Sequence, residues 1–300
     1  MSDLIIVGLG PAAMTAALYA SRYKMRVKII GGIPGGQVAV SGEIENYPGF
    51  ENISGRELSQ KMQNQIQKNG AEIVFDVVEK IEKKDGKFVA TGQISGEHSA
   101  RLVILATGTK NRKLGAPGEE KFYGKGVTYC ATCDGMFYKE KKVAVVGAGN
   151  SAAEAALYLA DICPEVRVFV RKNAFRADQI LVDKIAEKKN IIVEFETEIA
   201  EFLGDEKLEK VLLKNGEIRE LAGVFVEIGA DPETALAEKL GVARDSQKFV
   251  IVDAAQKTNV NGVFAAGDAT TGSQKFAQIA TAVGEGALAA KSAFDEFQKF

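Results

Sequence analysis

Three hundred residues exceed what one hydrophobic core ordinarily organises and suit two domains. Hydrophobic residues make up 46% and charged residues 26%, an ordinary globular balance that excludes a disordered or low-complexity chain. A net charge of -2, with Lys and Arg scattered among Asp and Glu, leaves no basic field for a nucleic acid, and no apolar run approaches the ~18 residues of a membrane span. Met1-Ser2-Asp3 runs straight into Leu4-Ile5-Ile6-Val7 without a basic segment or a small-residue cleavage site, so a cytoplasmic protein is expected. Three cysteines cannot build a disulfide framework. In a reducing compartment a close pair reads as catalytic or metal-binding, which singles out Cys130 and Cys133.

In chain order, Leu4–Val7 predicts a strand, Gly8 to Ala13 a glycine turn, the stretch to about Tyr23 a helix, and Val27–Ile30 a second strand. In Gly8-x-Gly10-Pro11-Ala12-Ala13 the first glycine makes the tight turn, the second lets the backbone approach a pyrophosphate, and Ala13 lets the helix pack on the strand. The second strand ends Ile29-Ile30-Gly31-Gly32, with no carboxylate to hold an adenosine ribose. A further strand ends Val103-Ile104-Leu105-Ala106-Thr107-Gly108, and Leu114-Gly115-Ala116-Pro117-Gly118 suits a linker.

Cys130-Ala131-Thr132-Cys133-Asp134 comes next. Two thiols at this spacing close a small ring on oxidation and lower the pKa of one of them, as a redox disulfide requires. A zinc site is the alternative, but only Cys163 and His98 remain as further ligands and neither has paired spacing, so no metal is expected. Cys163 reads as a small hydrophobe before a strand. His98 sits in a polar, turn-like Gly96-Glu97-His98-Ser99, so an acid beside the thiols has to be a carboxylate, and Asp134 is the candidate. Asp134 reads equally as the cap of the following turn.

The strand–turn–helix–strand pattern then returns: Lys142–Val146, the turn Gly147-Ala148-Gly149-Asn150-Ser151-Ala152, a helix to about Asp161, and Val166–Val170. Here too the strand ends without an acid. Arg171, Lys172 and Arg176 cluster where a ribose 2'-phosphate would lie, which favours NADP over NAD, a solvated basic loop being the other reading. Gly223 to Gly229 reads as a strand running into glycine, Phe249–Val252 and Val263–Ala266 as strands, and Gln278 to about Phe297 as a helix. Asp268, delivered by Gly262-Val263-Phe264-Ala265-Ala266-Gly267, lies where open α/β sheets bind ligands and suits a ribityl hydroxyl. A tail that resumes short strands and closes with a helix predicts insertion of one domain into the other: an α/β protein of two Rossmann-like domains, residues 1–115 with 244–300, and residues 116–243. Gly115, Gly118 and Gly241 are then the expected hinge glycines.

Seven segments in order, Gly8-x-Gly10-Pro11-Ala12, Gly35-Gly36-Gln37, Glu45-Asn46-Tyr47-Pro48-Gly49, Ala106-Thr107-Gly108, Cys130-Ala131-Thr132-Cys133-Asp134, Gly147-x-Gly149-Asn150-Ser151-Ala152 and Gly262 to Asp268, make the chain similar to the low-molecular-weight thioredoxin reductases over essentially its whole length. The resemblance implies three-layer nucleotide-binding domains, an FAD domain in two segments and an inserted NADPH domain carrying the redox pair. It also implies a homodimer that reduces thioredoxin or a thioredoxin-like protein. Flavin contacts carry over to Gly10, Pro11, Ala12, Gln37, Asn46, Thr107, Gly108, Asp268 and Gln278. Cys133 is then the thiol that faces the flavin, Cys130 the one that attacks the substrate disulfide, and Asp134 the proton donor. Two departures stand out. The family's His-Arg-Arg-x-x-x-Arg cluster appears as Val170-Arg171-Lys172-Asn173-Ala174-Phe175-Arg176, which exchanges a planar guanidinium for an ammonium. The family's Arg-Gln pair before the last helix appears as Ala277-Gln278.

Overall fold

The computed structural model describes residues 1–40 and 43–300. The chain divides into two compact units, one formed by Met1–Lys110 with Asp231–Phe300 and the other by Asn111–Ala230.

In the first unit, Ser2–Val7, Val27–Gly31, Glu72–Phe75 and the end of Gly96–Leu105 run parallel, and Val263–Ala265 adds a further parallel strand beside Val103–Leu105. Lys87–Gly92 and Val78–Lys84 extend the sheet antiparallel from the start of Gly96–Leu105. The opening strand is apolar without interruption because both of its faces are covered. Leu4 and Ile6 join a core built with the helices Pro11–Arg22 and Ile279–Phe297, whereas Ile5 and Val7 point to the opposite face, among Ile30, Ile81, Phe88 and Val263. The two helices pack closely because their contact is made of small residues. A Cβ on Gly286 would come within 2.2 Å of the Ala12 carbonyl oxygen.

In the second unit, Val127–Thr128, Gly223–Val226, Lys142–Val146, Glu165–Val170 and Ile191–Phe195 form a wholly parallel sheet in that order. Val143 and Val145 face the helix Asn150–Ala160, while Ala144 and Val146 face a three-stranded antiparallel sheet of Ile199–Gly204, Leu208–Leu213 and Ile218–Glu220. Each unit therefore has the layered parallel-sheet architecture expected of a Rossmann-like domain.

Four expectations are corrected. The crossings between units lie after Lys110 and after Ala230, not after 115 and 243. Leu114–Gly118 is no linker: the buried Glu119 carboxylate accepts the Leu114 and Gly115 N–H groups at 2.9 and 2.7 Å, and a Cβ on Gly118 would meet the Phe202 carbonyl oxygen at 2.4 Å. Residues 231–243 belong to the first unit, where Ala237 and Val242 enter its core and Gly241 ends the helix Ala235–Lys239 by donating its N–H to the Glu238 carbonyl. Phe249–Val252 forms no strand. Val250 makes only isolated bridges to Arg244 and Thr270, and Asp245 ties off the turn before it by accepting the N–H groups of Gln247 and Phe249. His98 is not in a turn but in the strand Gly96–Leu105, with its ring nitrogens against Lys28 and Ser95 of the first unit.

Candidate active site

The first glycine turn leaves the sheet at Val7. Gly8 has φ +118, and a Cβ there would lie 2.1 Å from the Ala106 carbonyl oxygen, so only glycine lets the strand end turn so close to its neighbour. A Cβ on Gly10, by contrast, would meet nothing within 4 Å. Gly10 is the N-cap of the helix Pro11–Arg22, and no side chain caps it. Uncapped N–H groups at a helix start beneath open backbone are what a pyrophosphate needs, and this turn fits that part of FAD.

Other expected flavin residues gather in the same unit. Gly36, with φ +55, comes against Gly10, where its Cβ would be 3.4 Å from the Gly10 Cα. Gln37 donates from Nε2 to the Thr109 carbonyl at 2.6 Å. Asn46 donates to Gln278 Oε1 at 3.1 Å, which joins two positions 232 residues apart at the start of the last helix. Thr107 donates to the Glu233 carbonyl at 2.6 Å, and Gly108 has φ +71. Burial, reinforced by Glu285, pushes the Asp268 carboxyl up to about 6. Glu285 itself was not foreseen. Buried in the last helix, it accepts the Gly267 N–H at 2.7 Å and so fixes the turn that delivers Asp268.

The second turn repeats the first. Gly147 has φ +157, and its Cβ would lie 2.3 Å from the Glu227 carbonyl oxygen and 2.7 Å from the Ala152 Cβ. A Cβ on Gly149 would meet nothing within 4 Å, and Gly149 is the N-cap of the helix Asn150–Ala160, again without a side-chain cap. Asn150 clamps Asp178, donating to its carboxylate at 2.9 Å and accepting its N–H at 2.8 Å. The Arg176 N–H donates to the Ala148 carbonyl at 2.7 Å, which brings this cation to the rim of the turn. Arg171, Lys172 and Arg176 are exposed. Together these features fit a phosphorylated dinucleotide.

The redox segment lies in the second unit. Cys130 and Cys133 are joined as a disulfide, with Cα atoms 5.3 Å apart. Cys130 caps the single helical turn Ala131–Asp134, and its Sγ accepts the Cys133 N–H at 3.2 Å. A hydrogen bond to that sulfur favours its anionic form once the pair is reduced. Thr128 donates to the Asp134 carboxylate, and the Asp134 N–H donates to the Cys130 carbonyl at 3.1 Å. Burial pushes the Asp134 carboxyl up, and the Thr128 hydrogen bond offsets this only in part, so the group holds a proton more readily than an ordinary aspartate. The same residue thus closes the turn and carries a carboxyl group of raised proton affinity. Burial raises the Cys163 thiol to about 11, which makes it inert. Its Sγ contacts the Tyr138 carbonyl at 3.2 Å. Among the described residues no cluster of His, Cys, Asp and Glu is arranged to hold a metal ion, and no helix is long and apolar enough to cross a membrane.

Two more carboxylates were missed. Glu119, fully buried, also accepts the Tyr129 hydroxyl at 2.8 Å, so it anchors the residue before Cys130. Glu227, at the end of the strand Gly223–Val226, accepts the Ala131 N–H at 3.3 Å. The signal was present in sequence: Gly223-Val224-Phe225-Val226-Glu227 is an apolar strand delivering an acid, the same pattern that marked Asp268.

The model of the pyridine nucleotide-disulphide oxidoreductase family matches residues 2–286. A thioredoxin reductase of Listeria innocua is 40% identical over 299 residues, covering 97% of this chain and 92% of that protein. One of Treponema pallidum is 40% identical over 299 residues, covering 97% and 95%. The crystal structure of thioredoxin reductase from Streptococcus pyogenes MGAS5005 matches with a TM-score of 0.93 at 38% identity, covering 100% of this chain and 99% of that one. Two uncapped glycine turns, a disulfide on a helical turn in the inserted unit and these full-length matches agree, and the chain belongs to the pyridine nucleotide-disulphide oxidoreductases, among the low-molecular-weight thioredoxin reductases.

Proposed function

We propose that this chain is an NADPH-dependent thioredoxin reductase whose electrons leave through Cys130 and Cys133. The observation that carries the reading is the placement of this disulfide, on a turn of the inserted unit that also holds the second nucleotide-type glycine turn. FAD is held in the first unit by Gly8, Gly10, Pro11, Ala12, Gln37, Asn46, Thr107, Gly108, Asp268 and Gln278. NADPH is held in the second by Gly147, Gly149, Asn150, Ser151, Ala152, Arg171, Lys172 and Arg176. When bound, FAD would supply two-electron chemistry between a nicotinamide hydride and the disulfide, which would become a dithiol by taking up two electrons and two protons.

The chain's own residues do the rest. The Cys133 N–H stabilises a thiolate on Cys130, which attacks a sulfur of the thioredoxin disulfide and forms a mixed disulfide. Cys133 then attacks Cys130 and releases the dithiol product, so the Cys130–Cys133 bond re-forms. Asp134, held by Thr128, supplies the proton for the leaving sulfur. Because the disulfide and the NADPH turn share one unit, each has to meet a flavin in the other, and we infer that the units rotate during turnover. Gly108, with φ +71, and Gly229, with φ +94, adjoin the crossings and take the hinge role in place of Gly115, Gly118 and Gly241. We also propose a cytoplasmic homodimer, which light scattering on the eluting holoenzyme tests.

Adding NADPH anaerobically to the purified protein is the direct experiment. A yellow protein that bleaches, and that then reduces thioredoxin, is expected. A yellow protein that does not bleach identifies instead a thiol oxidase of the same architecture, and a colourless one a nucleotide-binding redox sensor.

A further inference from the structure

Glu227 takes no part in the chemistry above, yet it touches both halves of the second unit's machinery. Its N–H donates to the Val146 carbonyl at 2.8 Å, at the end of the strand that leads into the nucleotide turn. Its carbonyl oxygen is the atom that a Cβ on Gly147 would strike. Its Oε1 accepts the Ala131 N–H at 3.3 Å, and Ala131 directly follows Cys130. One residue at one strand end therefore braces the glycine turn with its backbone and the redox turn with its carboxyl group.

We propose that Glu227 is a positioning residue of the redox pair, which holds the Ala131 end of the turn and, through its charge, sets the pH at which the reduced thiols ionise. This rests on the reading of Cys130–Cys133 as the working pair. The groups that face the carboxyl can be named element by element. The helix Asn150–Ala160 contributes Glu154, a like charge. The redox turn contributes the Ala131 N–H, which favours the anion. The strand Lys142–Val146 meets this residue through the Val146 carbonyl, and Glu154 is the charged group, among the described residues, that acts on the carboxyl. Burial is the largest influence and moves the group up to about 7. Near neutrality its charge is therefore poised: an ionised Glu227 opposes a second negative charge forming one residue from Ala131, and a protonated Glu227 does not.

The test is the pH profile of iodoacetamide alkylation of the reduced holoenzyme, with the more reactive thiol of the pair followed by mass spectrometry. Reduction uses dithiothreitol, so the profile is read whether or not NADPH delivers electrons. Failure of NADPH to bleach the flavin counts against the proposed function and leaves this profile unmoved. Glu227→Gln retains an acceptor oxygen for Ala131 while removing the charge, and it is expected to lower the alkylation midpoint by about one pH unit. Glu227→Ala, which removes charge and acceptor together, is expected to shift the midpoint in the same direction. A midpoint that stays in place or rises in both variants overturns the proposal, whatever happens to turnover, because a purely structural role for Glu227 would leave the thiol titration where it is.

Discussion

The two glycines of the second turn look interchangeable in a fingerprint, but they meet opposite surroundings, and a pair of alanine substitutions separates packing from ligand binding. Gly147→Ala forces a side chain onto a backbone at φ +157, with the new Cβ 2.3 Å from the Glu227 carbonyl oxygen. The unfavourable backbone conformation costs roughly 1–2 kcal/mol. Displacing a central strand end adds roughly 1–3 kcal/mol, as overpacking does. Gly149→Ala places its Cβ in open space, so only the weaker N-cap preference is lost, about 1 kcal/mol. The second substitution nevertheless occupies the surface that a pyrophosphate must approach, and a misfit there is expected to raise the KM for NADPH ~10-fold or more, or about 1.4 kcal/mol. Because the chain contains no tryptophan, unfolding in urea is followed by far-ultraviolet circular dichroism without nucleotide, alongside NADPH titration of the flavin absorbance. Gly147→Ala should be the less stable variant by about 1–4 kcal/mol, the difference between the two estimates. Gly149→Ala should be close to wild type in stability and poor in NADPH binding. Equal urea midpoints would refute the close-approach reasoning at Gly147, and undiminished NADPH affinity in Gly149→Ala would refute the assignment of the turn.

The exposed cations Arg171, Lys172 and Arg176 should favour NADPH over NADH in kcat/KM by at least ~10-fold even after solvent screening, and Arg176→Ala should erode the preference; equal values for the two nucleotides would sink the 2'-phosphate assignment. Cys130→Ser and Cys133→Ser should each abolish thioredoxin reduction, since a two-electron exchange needs both sulfurs, and turnover retained by Cys130→Ser would exclude it as the attacking thiol. Glu227 has a folded-state pKa of about 7 against an ordinary 4.5, so the folded state binds its proton more tightly. Its contribution to stability is then full below about pH 4.5 and is lost as the pH rises through 7, on the order of 2 kcal/mol after discounting for solvent contact. The urea midpoint should fall across that window in the wild type and fall less in Glu227→Gln, and parallel slopes would contradict the raised pKa.

The parts of the fold that were legible in sequence are those whose cause is local. An apolar strand, a glycine turn and a small-residue helix lie within about thirty residues of one another, and each of the two βαβ units announced itself in that way. The domain crossings were misplaced because glycine and proline mark turns without saying which core the turn belongs to. Leu114–Gly118 has a linker's composition, but a carboxylate four to five residues on, Glu119, ties it into the second unit. Phe249–Val252 has a strand's composition, yet Asp245 and the bridges of Val250 satisfy its backbone in another way. In both places a side chain some residues away decided the outcome, and periodicity does not register such a contact.

The site divides along the same line. Cys130, Cys133 and Asp134 are neighbours in sequence, so their chemistry could be read from spacing alone. Asn46 and Gln278 could be paired only by a resemblance, because no local pattern joins residues 232 apart. The carboxylates that went unread, Glu119, Glu227 and Glu285, touch no expected ligand residue through sequence proximity. Glu227 and Glu285 instead satisfy backbone N–H groups of loops that carry one, at Ala131 and Gly267, and Glu119 ties the Leu114–Gly115 backbone to the Tyr129 hydroxyl beside the redox segment. A loop that presents functional groups cannot spend its N–H groups on a sheet or helix ladder, and buried donors left unmet are costly. The fold meets them with acids delivered from strand ends and helix faces. A lone acid inside an apolar run, as in Val226-Glu227-Ile228 or Gly284-Glu285-Gly286, is therefore the sequence trace of a supported loop, and its burial is what gives Glu227 a charge that responds near neutral pH.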